Sequence, residues 1–251
     1  MDRLIKHQDA SIGDHRPSFD FQISHSGGFI TKRLADSVVE KLTSDLQVTY
    51  SATEFIRVPL KSQYGTVDDL HWLKSVAGSV VEIVDDDDVP CLTGEEGYVR
   101  VLLTDVDANG YLNDPDATAR FFRHGYFYPG DLGVQRADGA IRILGRSNDV
   151  LNVRGSKLAV APLEQRAQEH LGVETVCLFS GLDKMGVEEL VVVIEGDRAP
   201  SRDEMQKLAA TFPQFERLRF EMMSRFPRTE AGMQKVKRSE IRKLVFPDDA
   251  A

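Results

Sequence analysis

Between Thr31 and Leu46 the apolar residues Leu34, Val38 and Leu42 recur every fourth position, and a β-rich run flanks each end, Phe19 to Ser24 before and Leu46 to Tyr50 after. A four-residue apolar repeat lays one stripe along a helix, because a turn takes about 3.6 residues. Thr31 stands where a hydroxyl caps the first turn. A helix of this kind between two strands buries its stripe against the layer they form, so the stretch predicts a strand-helix-strand unit within an α/β layer.

From Val80 to Leu144 the pattern changes. Short β-rich runs at Val80 to Val84, Gly97 to Leu103 and Ala140 to Leu144 are separated by Gly, Asp and Asn turns, which predicts a small, mostly β subdomain. Beyond Gly145 the order is mixed, with a helix near Pro162 to His170, strands at Glu174 to Ser180 and Leu190 to Ile194, a helix after Ser201 and a third strand at Arg217 to Met223. Ser201 and Glu204 have the spacing of a capping box, in which each side chain satisfies a free amide of the first turn. The fold class that follows is α/β and α+β: a strand-helix-strand unit plus a small β subdomain in residues 1–144, a boundary at 145–149, and a small mixed domain in 150–251.

The 251 residues, 41% hydrophobic and 28% charged, describe a soluble globular chain long enough for two domains. A net charge of -9 opposes nonspecific nucleic-acid binding, which needs basic side chains to neutralise phosphates. Cys91 and Cys177 are too few for a disulfide framework and indicate a reducing compartment. Met1 to His15 is charged and unlike a signal peptide, and no apolar run is long enough to cross a bilayer. The expectation is a cytoplasmic protein without membrane or nucleic-acid partners.

Two segments carry a family resemblance. One is Gly125-Tyr126-Phe127-Tyr128-Pro129-Gly130-Asp131-Leu132-Gly133, and the other runs from Ile143-Leu144-Gly145-Arg146-Ser147-Asn148-Asp149 to Val153-Arg154-Gly155. With Tyr50-Ser51-Ala52-Thr53-Glu54 upstream and Pro227-Arg228-Thr229 downstream, in that order, the chain resembles the C-terminal part of an adenylate-forming (AMP-binding) ligase of the acyl-CoA synthetase type. The resemblance runs from about Ser24 to Leu244. It implies that residues 1–144 are the distal part of the AMP-binding large domain, that 145–149 is a hinge, and that 150–251 is a C-terminal swivelling domain. The family's Ser/Thr/Gly-rich phosphate loop has no matching segment here; Ser26-Gly27-Gly28-Phe29-Ile30-Thr31-Lys32 matches the adenine-side turn instead, without Walker spacing.

The resemblance also implies roles, each beside a plainer reading. Asp131 accepts both ribose hydroxyls and Arg146 is the second ribose contact; taken alone, Asp131 is an ordinary turn aspartate. Tyr50 stacks on adenine, Thr53 bonds the α-phosphate and Glu54 holds Mg²⁺, where the plain reading is a polar strand end. Ser51 replaces the usual glycine, and Tyr128-Pro129 replaces the usual Thr before Gly-Asp. Asn148 takes the hinge position, and Gly155 matches the glycine along which a pantetheine chain passes, or is a simple turn glycine. The lysine that bridges the acyl carboxylate and α-phosphate is Lys235 counting back from Ile241-Arg242, or is replaced by Met233 counting forward from Pro227-Arg228-Thr229.

The function implied is an adenylate-forming ligase using ATP/AMP, Mg²⁺ and coenzyme A or another thiol, with a carboxylic acid as substrate, incomplete in this chain and needing a longer native chain or a separate partner chain to supply the phosphate loop. The alternative is a non-catalytic AMP-binding, acyl-adenylate-binding or protein-interaction relative. Asp105, Asp107, Asn109, Gly110, Leu112 and Asp116 also fit much of a calcium-loop template, but the preceding Gly97 to Leu103 alternates like a strand, where that template needs an entering helix.

Overall fold

The computed structural model of the chain describes residues 20–65, 70–153, 156–182, 187–230 and 235–246. They fall into two compact units that divide between Asn148 and Asp149.

The first unit opens with β1 (Ile23–Ser26), α1 (Lys32–Lys41) and β2 (Leu46–Tyr50). The two strands are parallel, with Ile23 opposite Leu46. The Thr31 hydroxyl accepts the Leu34 amide at 3.3 Å, and Ala35 and Val38 are fully buried. The helix stops at Lys41, short of the Leu46 end that the apolar repeat predicts. The Thr43 hydroxyl donates to the Phe21 carbonyl at 2.6 Å and accepts the Asp45 amide at 3.1 Å, bonds that compete with another helical turn and aim the chain into β2. Strands β3 (Leu60–Gln63) and β4 (Lys74–Ser75) extend this sheet in the order β1-β2-β3-β4.

A second, antiparallel sheet holds β5 (Val81–Val84), β6 (Glu96–Leu102), β7 (Phe122–Arg123), β8 (Tyr126–Phe127), β9 (Asp131–Gln135) and β10 (Ile141–Arg146). Its order is β10-β9-β6-β8-β7, with β5 on β6. The helix α2 (Pro115–Phe121), which has no counterpart in the sequence-based expectations, is capped by Asp114, whose carboxylate accepts the Ala117 amide at 2.9 Å. Val81, Ile83, Val99, Val101 and Ile141 share one core with Ala35, Val38, Leu46 and Val48. Leu73 and Ile141 exchange backbone hydrogen bonds of 2.9 and 2.8 Å, which joins the two sheets.

The second unit begins with a hairpin, β11 (Val150–Val153) and β12 (Ser156–Ala159), followed by α3 (Val160–Leu171), β13 (Val176–Leu182), β14 (Glu188–Glu195), α4 (Arg202–Ala210), β15 (Leu218–Met223) and α5 (Arg238–Val245). Central β14 is antiparallel to β13 and parallel to β15. Leu190, Val192 and Ile194 pack with Ala167 of α3 and Leu208 of α4, while Val191 and Val193 pack with Ile241 and Phe246 beneath the other face. An unbroken apolar run is what a strand covered on both faces requires. The α4 capping box is present, with the Glu204 amide donating to Ser201 Oγ at 3.2 Å and the Ser201 amide donating to Glu204 Oε2 at 2.7 Å. No helix among the described residues is long and apolar enough to cross a membrane.

Glu195, at the end of β14, fixes the following segment. It accepts both terminal nitrogens of Arg228 at 2.5 Å and the Phe226 amide at 2.8 Å. The Arg228 guanidinium holds this carboxyl below its usual range against the opposing effect of burial. A carboxyl depressed in the folded state contributes stability that is present above its unfolded pKa of about 4.3 and is lost as pH falls through the folded value. Glu195→Gln is therefore expected to cost about 2–3 kcal/mol at pH 7 and distinctly less at pH 3, measured by chemical unfolding at both pH values.

Candidate functional site

Three elements of the first unit bring their ends together at Asp131. Tyr50 closes β2, Asp131 opens β9 and Arg146 closes β10. Asp131 and Arg146 are cross-strand partners only because of a bulge. Ile143 pairs with Gly133 and Gly145 pairs with Leu132, so Leu144 is an extra residue that advances Arg146 by one position. Regular pairing from Ile143 onward would have set Arg146 opposite Gly130. Gly145 takes up the bend at φ 118° and Gly130 turns into β9 at φ 79°, both in backbone space that favours glycine.

Asp131 is buried, and its carboxylate is held from two sides. The Tyr50 hydroxyl donates to Oδ2 at 2.6 Å, and Arg146 Nε lies 3.2 Å from Oδ1. Arg146 also donates to the Pro129 carbonyl at 2.5 Å, and the Ser147 amide to the Gly130 carbonyl at 2.9 Å, which pins the Pro129–Gly130 turn to the end of β10. Burial, and then the negative charge of Asp131, push the Tyr50 phenol well above its ordinary range, so it is a protonated donor at neutral pH.

On the far side of Tyr50, Thr53 is exposed and its hydroxyl donates to Glu54 Oε2 at 3.1 Å. Glu54 Oε1 accepts the Tyr111 hydroxyl at 2.6 Å. Burial and the hydrogen bond to Glu54 push the Tyr111 phenol up to about 12. Glu54 has hydroxyl partners and no ion pair among the described residues. Such a carboxylate suits Mg²⁺, which is commonly bound through one or two carboxylates plus phosphates and water. The described residues hold no group of three or more His, Cys, Asp or Glu placed to bind a metal ion.

The substitutions in the motifs have structural consequences. Ser51 is exposed and lies outside the left-handed region, so this backbone does not need the glycine it replaces. Tyr128 is buried, with its hydroxyl accepting from Arg100 at 3.3 Å and its ring beneath Arg123 at 4.0 Å. Asp107 of the calcium-like run spends its carboxylate on the Thr104 amide at 2.8 Å, the Thr104 hydroxyl at 2.7 Å and the Ile56 amide at 3.1 Å. It is a loop staple. Tyr111 is the partner that the sequence does not reveal, because 57 residues separate it from Glu54; its only signal is an aromatic residue beside Gly110.

No protein-family model matches the chain. It is 31% identical over 170 residues to bacitracin synthase 1 of Bacillus licheniformis, covering 64% of this chain and 3% of that protein. It is 26% identical over 175 residues to a mitochondrial acyl-coenzyme A synthetase of Homo sapiens, covering 64% of this chain and 30% of that one. The fold matches the O-succinylbenzoate coenzyme A synthetase of Bacillus subtilis solved in complex with AMP, with a TM-score of 0.78 at 20% identity over 96% of this chain and 48% of that one. In sequence and fold the chain is similar to the C-terminal part of adenylate-forming ligases. It spans about half of the solved ligase.

The remaining ligase positions belong to the second unit or its boundary. Asn148 is exposed in the turn that ends the first unit. Gly155 and Met233 lie outside the described residues. Lys235 is exposed; its amide donates to Thr229 Oγ1 at 3.0 Å, and its carbonyl accepts the Thr229 amide at 2.9 Å. The bulge is the feature of this site most open to test by a single change. Gly145→Ala is expected to destabilise the first unit by about 1–3 kcal/mol, read as a lower denaturation midpoint by the fluorescence of Trp72.

Proposed function

We propose that this chain provides the adenosine-facing and swivelling parts of an adenylate-forming ligase. The observation that carries the reading is the convergence of Tyr50 and Arg146 on the buried carboxylate of Asp131. A ribose offers two adjacent hydroxyl donors, and a carboxylate such as Asp131 is the acceptor they need. Arg146 neutralises the carboxylate and orients it. Tyr50 presents a ring for adenine, Thr53 an exposed hydroxyl for the α-phosphate and Glu54 an oxygen ligand for Mg²⁺, which when bound offsets phosphate charge.

In the overall reaction a substrate carboxylate attacks the α-phosphorus of ATP, the bond to the β-phosphate oxygen breaks, and pyrophosphate leaves. A thiol such as coenzyme A then attacks the acyl carbon, loses its proton, and AMP departs with the electron pair of the acyl-phosphate bond. Lys235 is the candidate catalytic lysine, a cation for the acyl carboxylate and α-phosphate in the first step. The division of the chain after Asn148 supports a hinge there, and Gly155 is the proposed passage for a pantetheine arm. The Ser/Thr/Gly-rich phosphate loop and most of the acyl pocket come from elsewhere, in a longer chain or a separate partner. The compartment consistent with two cysteines and an acidic chain is the cytoplasm.

One observation favours a second reading, a module that binds AMP or an acyl-adenylate without turnover. Tyr128 is buried against Arg100 and Arg123, and Pro129 has no hydroxyl, so the family's Thr hydroxyl has no replacement at these two positions. Calorimetric titration with AMP, and with ATP plus Mg²⁺, tests the shared premise. Saturable binding by the unmutated protein and at least a tenfold loss in Asp131→Ala are expected, about 1.4 kcal/mol or more. Absence of binding by the unmutated protein would remove both nucleotide readings.

A further inference from the structure

We infer that Tyr111 is a positioning residue for Glu54, holding the Mg²⁺-facing carboxylate in register with the Asp131 motif; this rests on the reading of Glu54 proposed above. Three bonds tie the 104–111 loop to the turn after Tyr50. Tyr111 donates to Glu54 Oε1 at 2.6 Å, the Ala108 amide donates to the Glu54 carbonyl at 3.0 Å, and Asp107 accepts the Ile56 amide at 3.1 Å. Two of the three act on Glu54 itself, one on its backbone and one on its side chain, which leaves the carboxylate little freedom to rotate.

The phenol is itself fixed. The Tyr111 amide donates to Thr118 Oγ1 at 2.8 Å, and Gly110 lies so close to α2 that a Cβ there would fall 2.8 Å from Thr118 Cγ2. Its ring meets Phe122 edge-on at 5.3 Å, Phe122 meets Phe127 at 4.9 Å, and Phe127 meets Phe55 edge-on at 5.4 Å. Phe55 follows Glu54, so the contacts close a ring. Phe127 belongs to the same short motif as Asp131, and the ring therefore sets the cation-facing carboxylate against the ribose-facing one. A hydroxyl donor is needed at position 111 for the last link, whereas aromatic packing accounts for the others.

The test compares the unmutated protein with Tyr111→Phe, Glu54→Gln and the double variant, each titrated with AMP in EDTA and with ATP in the presence and absence of Mg²⁺. Tyr111→Phe keeps the ring and is expected to reduce the Mg²⁺-dependent gain in ATP affinity about tenfold, with AMP affinity unchanged. The double variant should behave like Glu54→Gln alone, since the hydroxyl acts only through that carboxylate. Retention of the full Mg²⁺ effect in Tyr111→Phe, with loss in Glu54→Gln, would overturn the inference and leave the role of Glu54 standing. No Mg²⁺ effect in the unmutated protein, or an unchanged one in Glu54→Gln, would overturn that role and the inference with it. Loss of the folded state in Tyr111→Phe, followed by thermal unfolding, would also overturn it by showing that the phenol serves the fold.

Discussion

A carboxylate leaves water only when hydrogen bonds and opposite charge replace the solvent it loses, and the first unit is arranged around that demand at Asp131. One partner comes from the first, mixed sheet and the other from the second, antiparallel sheet, so the bond from Tyr50 holds only if the two sheets keep their relative placement. The shared core and the paired backbone bonds of Leu73 and Ile141 supply that placement. Tyr50, Asp131 and Arg146 are thus each at the end of a strand whose body is fixed by packing. Side chains mounted in this way lose little further freedom when a ligand arrives.

Much of this layout is legible in the sequence, for a physical reason. Strand-helix-strand order, the alternating run of β6 and the unbroken apolar run of β14 are written in local periodicity, which burial enforces residue by residue. The four motif segments are legible too, because their order along the chain is itself a pattern. What is hidden depends on register or on long-range pairing. Nothing in Leu144-Gly145 announces a bulge, yet the bulge decides which residue faces Asp131. The stretch from Asp105 to Asp116 shows the opposite problem: its oxygen donors imitate a metal loop, while in the fold Asp107 staples backbone amides and Asp114 caps α2. Composition there is shared by two structures, and only the tertiary partners distinguish them.

The two substitutions within the motifs act in different directions. Ser51 costs nothing in backbone conformation, since its position does not demand glycine. Tyr128 redirects a stretch of the second sheet. Its burial recruits Arg100, which also bonds Glu82 at 2.8 Å and stacks over Tyr126 at 4.3 Å, and it sets Arg123 over its own ring. A cluster of aromatic rings and guanidinium groups has therefore formed beside the Pro129–Gly130 turn.

In the second unit the same economy of partners isolates one charge. Arg228 precedes the segment that carries Lys235 and Arg238 follows it. Each is bound by a carboxylate that also accepts a backbone amide: Glu195 takes Arg228 and Phe226, and Glu164 takes Arg238 at 2.5 Å and Leu178 at 2.8 Å. Both ends of the segment are consequently tied to the sheet and to α3. The ammonium of Lys235 has no partner among the described residues. The backbone of Lys235 is fixed to Thr229 and the residue is exposed, so the charge stands at the surface of the second unit.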